Sequence, residues 1–551
     1  MYNKYIGITI GPIVKTLMLT TTPAGLWGAS YIFSYYTKKL IESLKEDLNL
    51  SDESFLVPSI SKEVDDIIES CPWAGLFHDR IIFHANESKI LTKVNDCIIK
   101  AKNNLAQKVL DSSLDYKESD SKKKEAEEYI KDYLQVQAIQ KDVEKCENPI
   151  LELSGYLDVL ELGQSYIPRE HKNYVLNFLE NRDSLEQRKA ENRNENIKKF
   201  IDKICQNENP EKWHFLDREG KKIIAIDDIV GKNKEDSGAN TQIKNYYALV
   251  KADGDNLGKV LKEMKGDKVS ECIKKFSEKC FFYAKSAFKE VEEYGGKMIY
   301  AGGDDLLFIA PVKNQERSIF HLIAELNAKF KENFKNFSFY EDGKERKMGF
   351  SAGVMICYYK YPLQEALKGV LKQLDRSKGM ERKNTVSIHF EKHSGTQRGI
   401  QFKNFFEEGG KNKIYKSFLD LLEKYSRPKQ DCQANEILGS VGKKLQDYQK
   451  LFVIALIQNG ENTVNVLNEV VKNLFEEYPN IFDQEADDIQ KSGETRYIEE
   501  IIELLREVYC VNLSLSHEKT IKDKEKIAIK SLKEIEAIIG LLSFYNEKEI
   551  R

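Results

Sequence analysis

The chain has 551 residues, 41% of them hydrophobic and 32% charged, with a formal net charge of −4. That length accommodates several domains with sizeable cores, and that composition excludes a disordered chain. The faint negative balance excludes a uniformly basic nucleic-acid glove, so contact with RNA or DNA requires local patches or a partner subunit.

Nine cysteines are scattered without a CxxC pair. They read as reduced thiols of a cytoplasmic protein, and no zinc is expected, because the close-spaced ligand pairs are missing. Tyr5–Ile10 alternates like a strand. The apolar stretch from Tyr5 to Phe33 is interrupted by Gly11-Pro12, Lys15 and Pro23. It is therefore read as a buried strand and a helix, with no targeting role and no membrane contact. Leu26–Leu40 is helical with one apolar face, and Gly75–Phe83 is a turn flanked by β-branched and aromatic residues. Residues 1–105 form one α/β unit on this reading. Residues 106–242 carry long charged helices, SDSKKKEAEEYIKDYLQ and LEQRKAENRNENIKKFIDK, and end in the linker NKEDSGANTQ.

Residues 243–400 are the clearest segment. A strand from Tyr246 ends at Ala252-Asp253-Gly254-Asp255, and a helix covers 268–294. The hairpin KMIYAGGDDLLFIAP spans 297–311, and a helix covers 315–336. A strand at Met348–Cys357, a helix at Leu363–Arg376 and a strand at Thr385–Phe390 complete a β-α-β-β-α-β order, the split ferredoxin-like arrangement. Residues 401–551 carry amphipathic helices only, read as a bundle that docks neighbouring subunits.

The hairpin places Gly302, Gly303, Asp304 and Asp305 at its tip. Glycines accept positive φ there, but Asp305 opens a strand, where aspartate is disfavoured. In a β-α-β-β unit the strand ending at Asp253 neighbours this hairpin, so Asp253, Asp255, Asp304 and Asp305 converge. Clustered carboxylates raise one another's pKa unless a cation neutralises them. Hard oxygen ligands suit Mg²⁺ or Mn²⁺, and two ions would activate a 3′-hydroxyl and stabilise departing pyrophosphate.

KADGDNLGKVL and YAGGDDLLFIAP resemble the active palm of the large polymerase/cyclase-type subunit of type III CRISPR effector complexes, closest to the Cmr type. LDRSKGMERKNTVSIHFEKHSG at 374–395 is similar to that family's segment after the palm's second helix. IGPIVKTL and LWGASYIFSYY resemble the opening of its degenerate first palm, with GLFHDRIIF in place of a GGDD turn. Diguanylate cyclases share the palm, but Asp305-Leu306 stands where they carry Glu-Phe. The resemblance implies an α+β fold: two ferredoxin-like palms, the first degenerate, a helical middle domain and a C-terminal bundle.

The resemblance further implies that Asp253, Asp304 and Asp305 bind metal and catalyse, with the Gly254 carbonyl as a further ligand. Asp255, Asn256, Gly302, Gly303, Lys378, Lys383 and Asn384 are the implied nucleotide contacts, with Asp255 either assisting or only holding the loop. Ser30 and Ser34 reach a nucleotide between the palms on the same reading. The implied activity is adenylyl transfer from ATP to make a second messenger once guide RNA pairs with target RNA.

Many members begin with an HD nuclease, for which no room is expected before the first palm. His78-Asp79 is read as part of a turn, not as a nuclease site. Some nuclease-lacking relatives transfer AMP to S-adenosylmethionine, and this acceptor is favoured over cyclic oligoadenylate synthesis from ATP alone or a non-catalytic palm scaffold. Asp65, Asp66, Glu69, Trp73 and Asp79 are the candidate acceptor pocket. The expected partners are the other subunits of the complex and, through them, guide and target RNA.

Overall fold

The computed structural model describes residues 2–77, 79–85, 89–113, 120–163, 173–180, 194–204, 213–217, 219–220, 222–231, 245–315, 317–380, 383–395, 397–403, 413–425, 433–458, 461–478, 480–483, 493–516 and 520–546. The first unit contains β1 (Tyr2–Gly11), α1 (Ile13–Leu17), α2 (Pro23–Leu48), β2 (Phe55–Val57), α3 (Lys62–Ser70), β3 (Arg80–His84), α4 (Ile90–Ser112), α5 (Asp120–Tyr133) and β4 (Gln135–Glu144). Its strands pair in the order β2-β3-β1-β4. The unit therefore runs past the expected boundary at 105. The polar strand QVQAIQKDVE is mostly half-buried, so its alternation carries little apolar contrast and the sequence hides it. In the segment Gly75–Phe83 the β-branched and aromatic flank is β3 at 80–84, and the link from β2 includes α3.

The middle segment adds α6 (Pro149–Leu162), α7 (Tyr174–Glu180), α8 (Glu195–Ile204) and α9 (Ile226–Ile229). It is tied to the first unit at the start of α2. Thr22 caps that helix by accepting from the Gly25 amide, and the buried Glu180 carboxylate accepts from the amides of Thr21 at 2.7 Å and Thr22 at 3.2 Å. The negative charge also suits the positive end of the helix dipole.

The second unit contains β5 (Tyr246–Asp255), α10 (Leu257–Glu263), α11 (Val269–Glu293), β6 (Lys297–Gly302), β7 (Asp305–Pro311), β8 (Lys313–Asn314), β9 (Arg317–Ser318), α12 (Ile319–Phe334), β10 (Ser338–Glu341), β11 (Lys344–Lys347), β12 (Gly349–Tyr358), α13 (Leu363–Lys378), β13 (Val386–Glu391) and β14 (Gln397–Phe402). Among the described residues its main sheet has the order β14-β13-β12-β5-β7-β6, with β8-β9 and β10-β11 as separate ribbons. Taking β5, β6, β7 and β12 as the four palm strands, the order is fourth-first-third-second. The first unit repeats it with β1, β2, β3 and β4. Both are ferredoxin-like, as expected, and the chain is α+β.

Strand alternation splits the palm sheet into two faces. Tyr246, Ala248, Val250 and Ala252 face α11, α12 and the C-terminal helices, whereas Tyr247 and Leu249 share a core with α13 and the first unit. The C-terminal helices are α14 (Ile414–Tyr425), α15 (Gln433–Asp447), α16 (Gln449–Ile457), α17 (Glu461–Leu474), α18 (Gly493–Ser514) and α19 (Ile521–Asn546). They are continuous with the palm core: the Tyr545 hydroxyl donates to the Val312 carbonyl at 2.9 Å, and Tyr415 to Phe320 at 2.8 Å. Among the described residues no helix is long and apolar enough to cross a membrane.

His214 joins three parts of the chain. Its Nε2 donates to the Met298 carbonyl of β6 at 2.9 Å, and its ring packs against Trp27 of α2 and Phe288 of α11. Burial pushes its pKa down to about 3 from 6.5. The folded chain thus keeps it neutral, while the unfolded chain protonates it below 6.5. Its stabilisation is complete above that value and drains as pH falls towards 3. The loss at pH 5 is expected to be about 2 kcal/mol. His214→Gln should flatten the change in urea midpoint between pH 7 and pH 5, and an equally steep change would refute the assignment.

Candidate active site

The site forms where β5, β7 and β12 end together. Asp253 lies opposite Asp305 on one side and Ser351 on the other. Gly302 pairs with Asp305 across the hairpin, leaving Gly303 and Asp304 as a two-residue loop. Gly303 has φ 67°, the geometry that a primed turn requires at its first central position. Gly254 donates its amide to the Asp304 carbonyl at 3.2 Å. A Cβ on Gly254 would stand 2.5 Å from Asp304 Oδ2 and 3.0 Å from Phe330. The glycine therefore makes room for the carboxylate. Gly254→Ala is expected to displace Asp304 and lower activity at least about tenfold, without loss of folding. A steady-state assay checks this, and wild-type activity in the variant would contradict the packing argument.

The loop turns Asp304 towards α11. Cys280 and Tyr283 of that helix are buried, which pushes their pKa values well up, and the Asp304 charge adds to the effect. Burial likewise raises Asp304 itself to about 8, reinforced by Asp253 and then Asp305, with Lys378 opposing. Asp305 is raised too, first by burial, against the pull of Lys251.

Two lysines meet these carboxylates. Lys378, at the end of α13, lies 2.7 Å from Asp253 Oδ2, 3.3 Å from Asp255 Oδ1 and 2.5 Å from the Gly254 carbonyl. Burial depresses its ammonium, but Asp253 and Asp255 outweigh it and the pKa is raised. Lys251 pairs with Asp305 and with the Tyr300 hydroxyl, and Tyr300 donates to Asp305 Oδ2 at 3.0 Å.

Asp255 is fully buried. Its Oδ2 accepts from Ser351 Oγ and from the Asn384 amide, each at 2.7 Å. Of the two roles expected for it, the structure supports holding the loop. Asn384 accordingly contributes its backbone here. Lys383 and Asn384 both have left-handed φ, 51° and 43°, in the loop that follows α13. Asn256 (φ 65°) starts α10.

The first unit closes against β6. The Ala301 amide donates to the Ala74 carbonyl at 3.1 Å, and a Cβ on Gly75 (φ 61°) would stand 3.4 Å from Tyr300 Cβ and 3.6 Å from Ser30 Oγ. Ser30 thus sits at the interface, while Ser34 Oγ accepts from the Phe77 amide at 3.3 Å. Asp79 is near enough to add to the upward push that burial, Asp305 and Asp253 exert on the Tyr300 phenol. The remaining acceptor candidates are not brought here. The charges acting on Asp65 are those of Lys45 and Lys38 of α2, Asp52 just after it and Glu69 of α3, and Asp66 and Glu69 are exposed on α3. Trp73 is a core residue instead: it is 5% exposed, its carbonyl accepts from Trp27 Nε1 at 2.8 Å, and its ring tilts against Tyr31. His78 lies outside the described residues.

Lys251, Tyr300 and Ser351 were not singled out from the sequence. The signal for Lys251 was a cation inside an apolar strand, two positions before Asp253 and hence on its face.

The donors fit a hard divalent cation. Asp305 Oδ1 is buried without a hydrogen-bond partner, and Gly254 cradles Asp304. Yet among the described residues no three His, Cys, Asp or Glu side chains form a ready metal cage, and lysines hold Asp253 and Asp305.

A ferredoxin-like sheet with paired aspartates at adjacent strand ends has the layout of a palm domain. Residues 246–387 match the family model of the Cas10/Cmr2 second palm domain, and they form a palm of that kind. The CRISPR system Cmr subunit Cmr2 of Pyrococcus furiosus is 30% identical over 174 residues, covering 27% of this chain and 19% of that protein. The match thus spans about a fifth of the curated relative's length. The fold extends further. A chain of the type III-B Cmr-beta complex bound to cognate target RNA superposes with a TM-score of 0.56 at 12% identity, covering 92% of this chain and 83% of that one. In the apo Cmr-beta complex the values are 0.52, 13%, 92% and 82%.

Proposed function

We propose that this chain is the nucleotidyltransferase subunit of a type III, Cmr-type CRISPR antiviral complex, making an adenylate messenger from ATP when target RNA pairs with the guide. The observation that carries the reading is the meeting of Asp253, Asp304 and Asp305 at one sheet end, where burial and then the neighbouring carboxylates raise Asp304 to about 8. The acceptor hydroxyl gives its proton to water and attacks the α-phosphorus of ATP; the new O–P bond forms, the bond from the α-phosphorus to the bridging oxygen breaks, and pyrophosphate leaves with that electron pair. Mg²⁺ or Mn²⁺ bound by these carboxylates would acidify the hydroxyl and neutralise the leaving group. Lys378, which anchors Asp253, and Lys383 are the proposed phosphate contacts. Guide and target would be sensed through the complex, by duplex shape and backbone.

Two acceptors remain within this reading. S-adenosylmethionine is one, a reading under which acidic groups of the first unit, such as Asp79, would face the sulfonium. A second ATP would give cyclic oligoadenylate. The test is to assemble the complex with guide and target RNA, supply Mg²⁺ or Mn²⁺ and ATP with and without S-adenosylmethionine, and identify products by mass spectrometry. Oligoadenylate formation indifferent to S-adenosylmethionine removes that acceptor. Absence of any adenylylated product removes the enzyme reading and leaves a scaffold.

A further inference from the structure

Lys251, Asp253 and Asp305 alternate onto one face of the palm sheet, that of Tyr247, Leu249 and Leu307, which shares a core with α13 and the first unit. Tyr300 reaches this face through an irregularity. Where β6 pairs with β7, Met298 stands opposite Phe308, yet Tyr300 stands opposite Leu307, so Ile299 is an extra residue. An unbroken register would set Tyr300 opposite Leu306 and turn it to the other face, towards α11. The bulge brings its hydroxyl to Asp305 instead. Tyr300 donates to Asp305 Oδ2 at 3.0 Å, and the Lys251 ammonium, held by both, lies 4.5 Å from the centre of the ring. Among the described residues Asp305 Oδ1 has no hydrogen-bond partner. Behind Tyr300 stands the first unit. The Ala301 amide donates to the Ala74 carbonyl at 3.1 Å, and a Cβ on Gly75, which has φ 61°, would stand 3.4 Å from Tyr300 Cβ.

We infer that Tyr300 is a positioning residue for adenylyl transfer, the link through which the first unit sets the orientation of the Asp305 carboxylate. The phenol and Lys251 fix Oδ2, so Oδ1 is the oxygen left for the reacting groups. A phenylalanine at this position keeps the ring beside Lys251 and its packing on Gly75, but leaves the carboxylate freer to rotate. The inference rests on the transfer reading of the site above.

Two measurements test it: steady-state kinetics of the complex assembled with guide RNA, target RNA and ATP, and amide exchange of residues 302–306 in the full chain by mass spectrometry. Tyr300→Phe should lower kcat about tenfold and leave the KM for ATP within about twofold of wild type. Exchange at the hairpin tip should become about fivefold faster, the scale of one lost hydrogen bond. Gly75→Val puts a β-branched residue at positive φ. It should lower kcat in the wild-type chain but add little to Tyr300→Phe, because both act through one hydroxyl. Circular dichroism checks folding, and Gly75→Ala replaces the valine variant if that does not fold. Wild-type kcat in Tyr300→Phe overturns the inference, as does a loss carried by KM alone. Effects of the two substitutions that add in full overturn the link to the first unit. If wild type itself forms no product, the transfer reading falls, and unchanged exchange at the tip in Tyr300→Phe then overturns this inference separately.

Discussion

Replacing Asp304 and Asp305 together by asparagine is expected to lower messenger formation at least about 10³-fold, the scale on which removal of preorganised transition-state charge is felt. The same change should not unfold the chain. Burial, then Asp253 and Asp305, hold the Asp304 carboxyl up at about 8. Between its ordinary 3.8 and that value the folded chain binds more protons than the unfolded chain. Stability therefore falls as pH rises through this window, by an amount on the order of a few kcal/mol if no cation is supplied. Asp304→Asn alone should abolish that fall and leave the protein more stable at pH 8 than wild type. A melting curve at pH 5 and pH 8, beside a product assay, separates the two effects. A variant both inactive and less stable at pH 8 would show that the carboxylate serves the fold rather than the chemistry.

The second large effect is expected at Lys378. Its ammonium is the only charge partner seen among the described residues for the fully buried Asp255, and it also holds Asp253 and the Gly254 carbonyl. Breaking a buried pair by removing one member leaves an uncompensated charge, at a cost of about 3–5 kcal/mol. Lys378→Met should lower the apparent melting temperature by about 3–4 °C. Burial already raises Asp255 above the usual carboxylate range with Lys378 opposing, so the variant should raise it further. Adding Asp255→Asn to Lys378→Met should recover much of the loss. A melting temperature unchanged in Lys378→Met would remove Lys378 as the anchor of the loop.

Much of this site was legible because its chemistry is local in sequence. ADGD and GGDD each end or begin a strand, and the period of the flanking elements fixed their neighbourhood. The helix expected at 268–294 is found at 269–293. What was not legible depends on contacts between distant segments. Lys251 gains its meaning from Tyr300, 49 residues away and reached only through β6–β7–β5 pairing. The fourth strand of the first palm was hidden by its polarity. Asp65 and Glu69 looked like possible acceptor contacts because acidic residues in a sequence carry no direction, and α3 points them elsewhere. Trp73 could have been a stacking platform, but packing against Trp27 and Tyr31 makes it core. The C-terminal helices read as a docking bundle, and the sequence did not show that Tyr415 and Tyr545 tie them into the palm core.

The central claim is that the carboxylates transfer an adenylyl group and do not merely hydrolyse ATP. The most direct measurement is the phosphate released from ATP by the assembled complex on addition of cognate target RNA. The account predicts pyrophosphate, one for each adenylyl bond formed, dependent on Asp304 and Asp305. Inorganic phosphate in its place, or pyrophosphate release undiminished in the double asparagine variant, would contradict it.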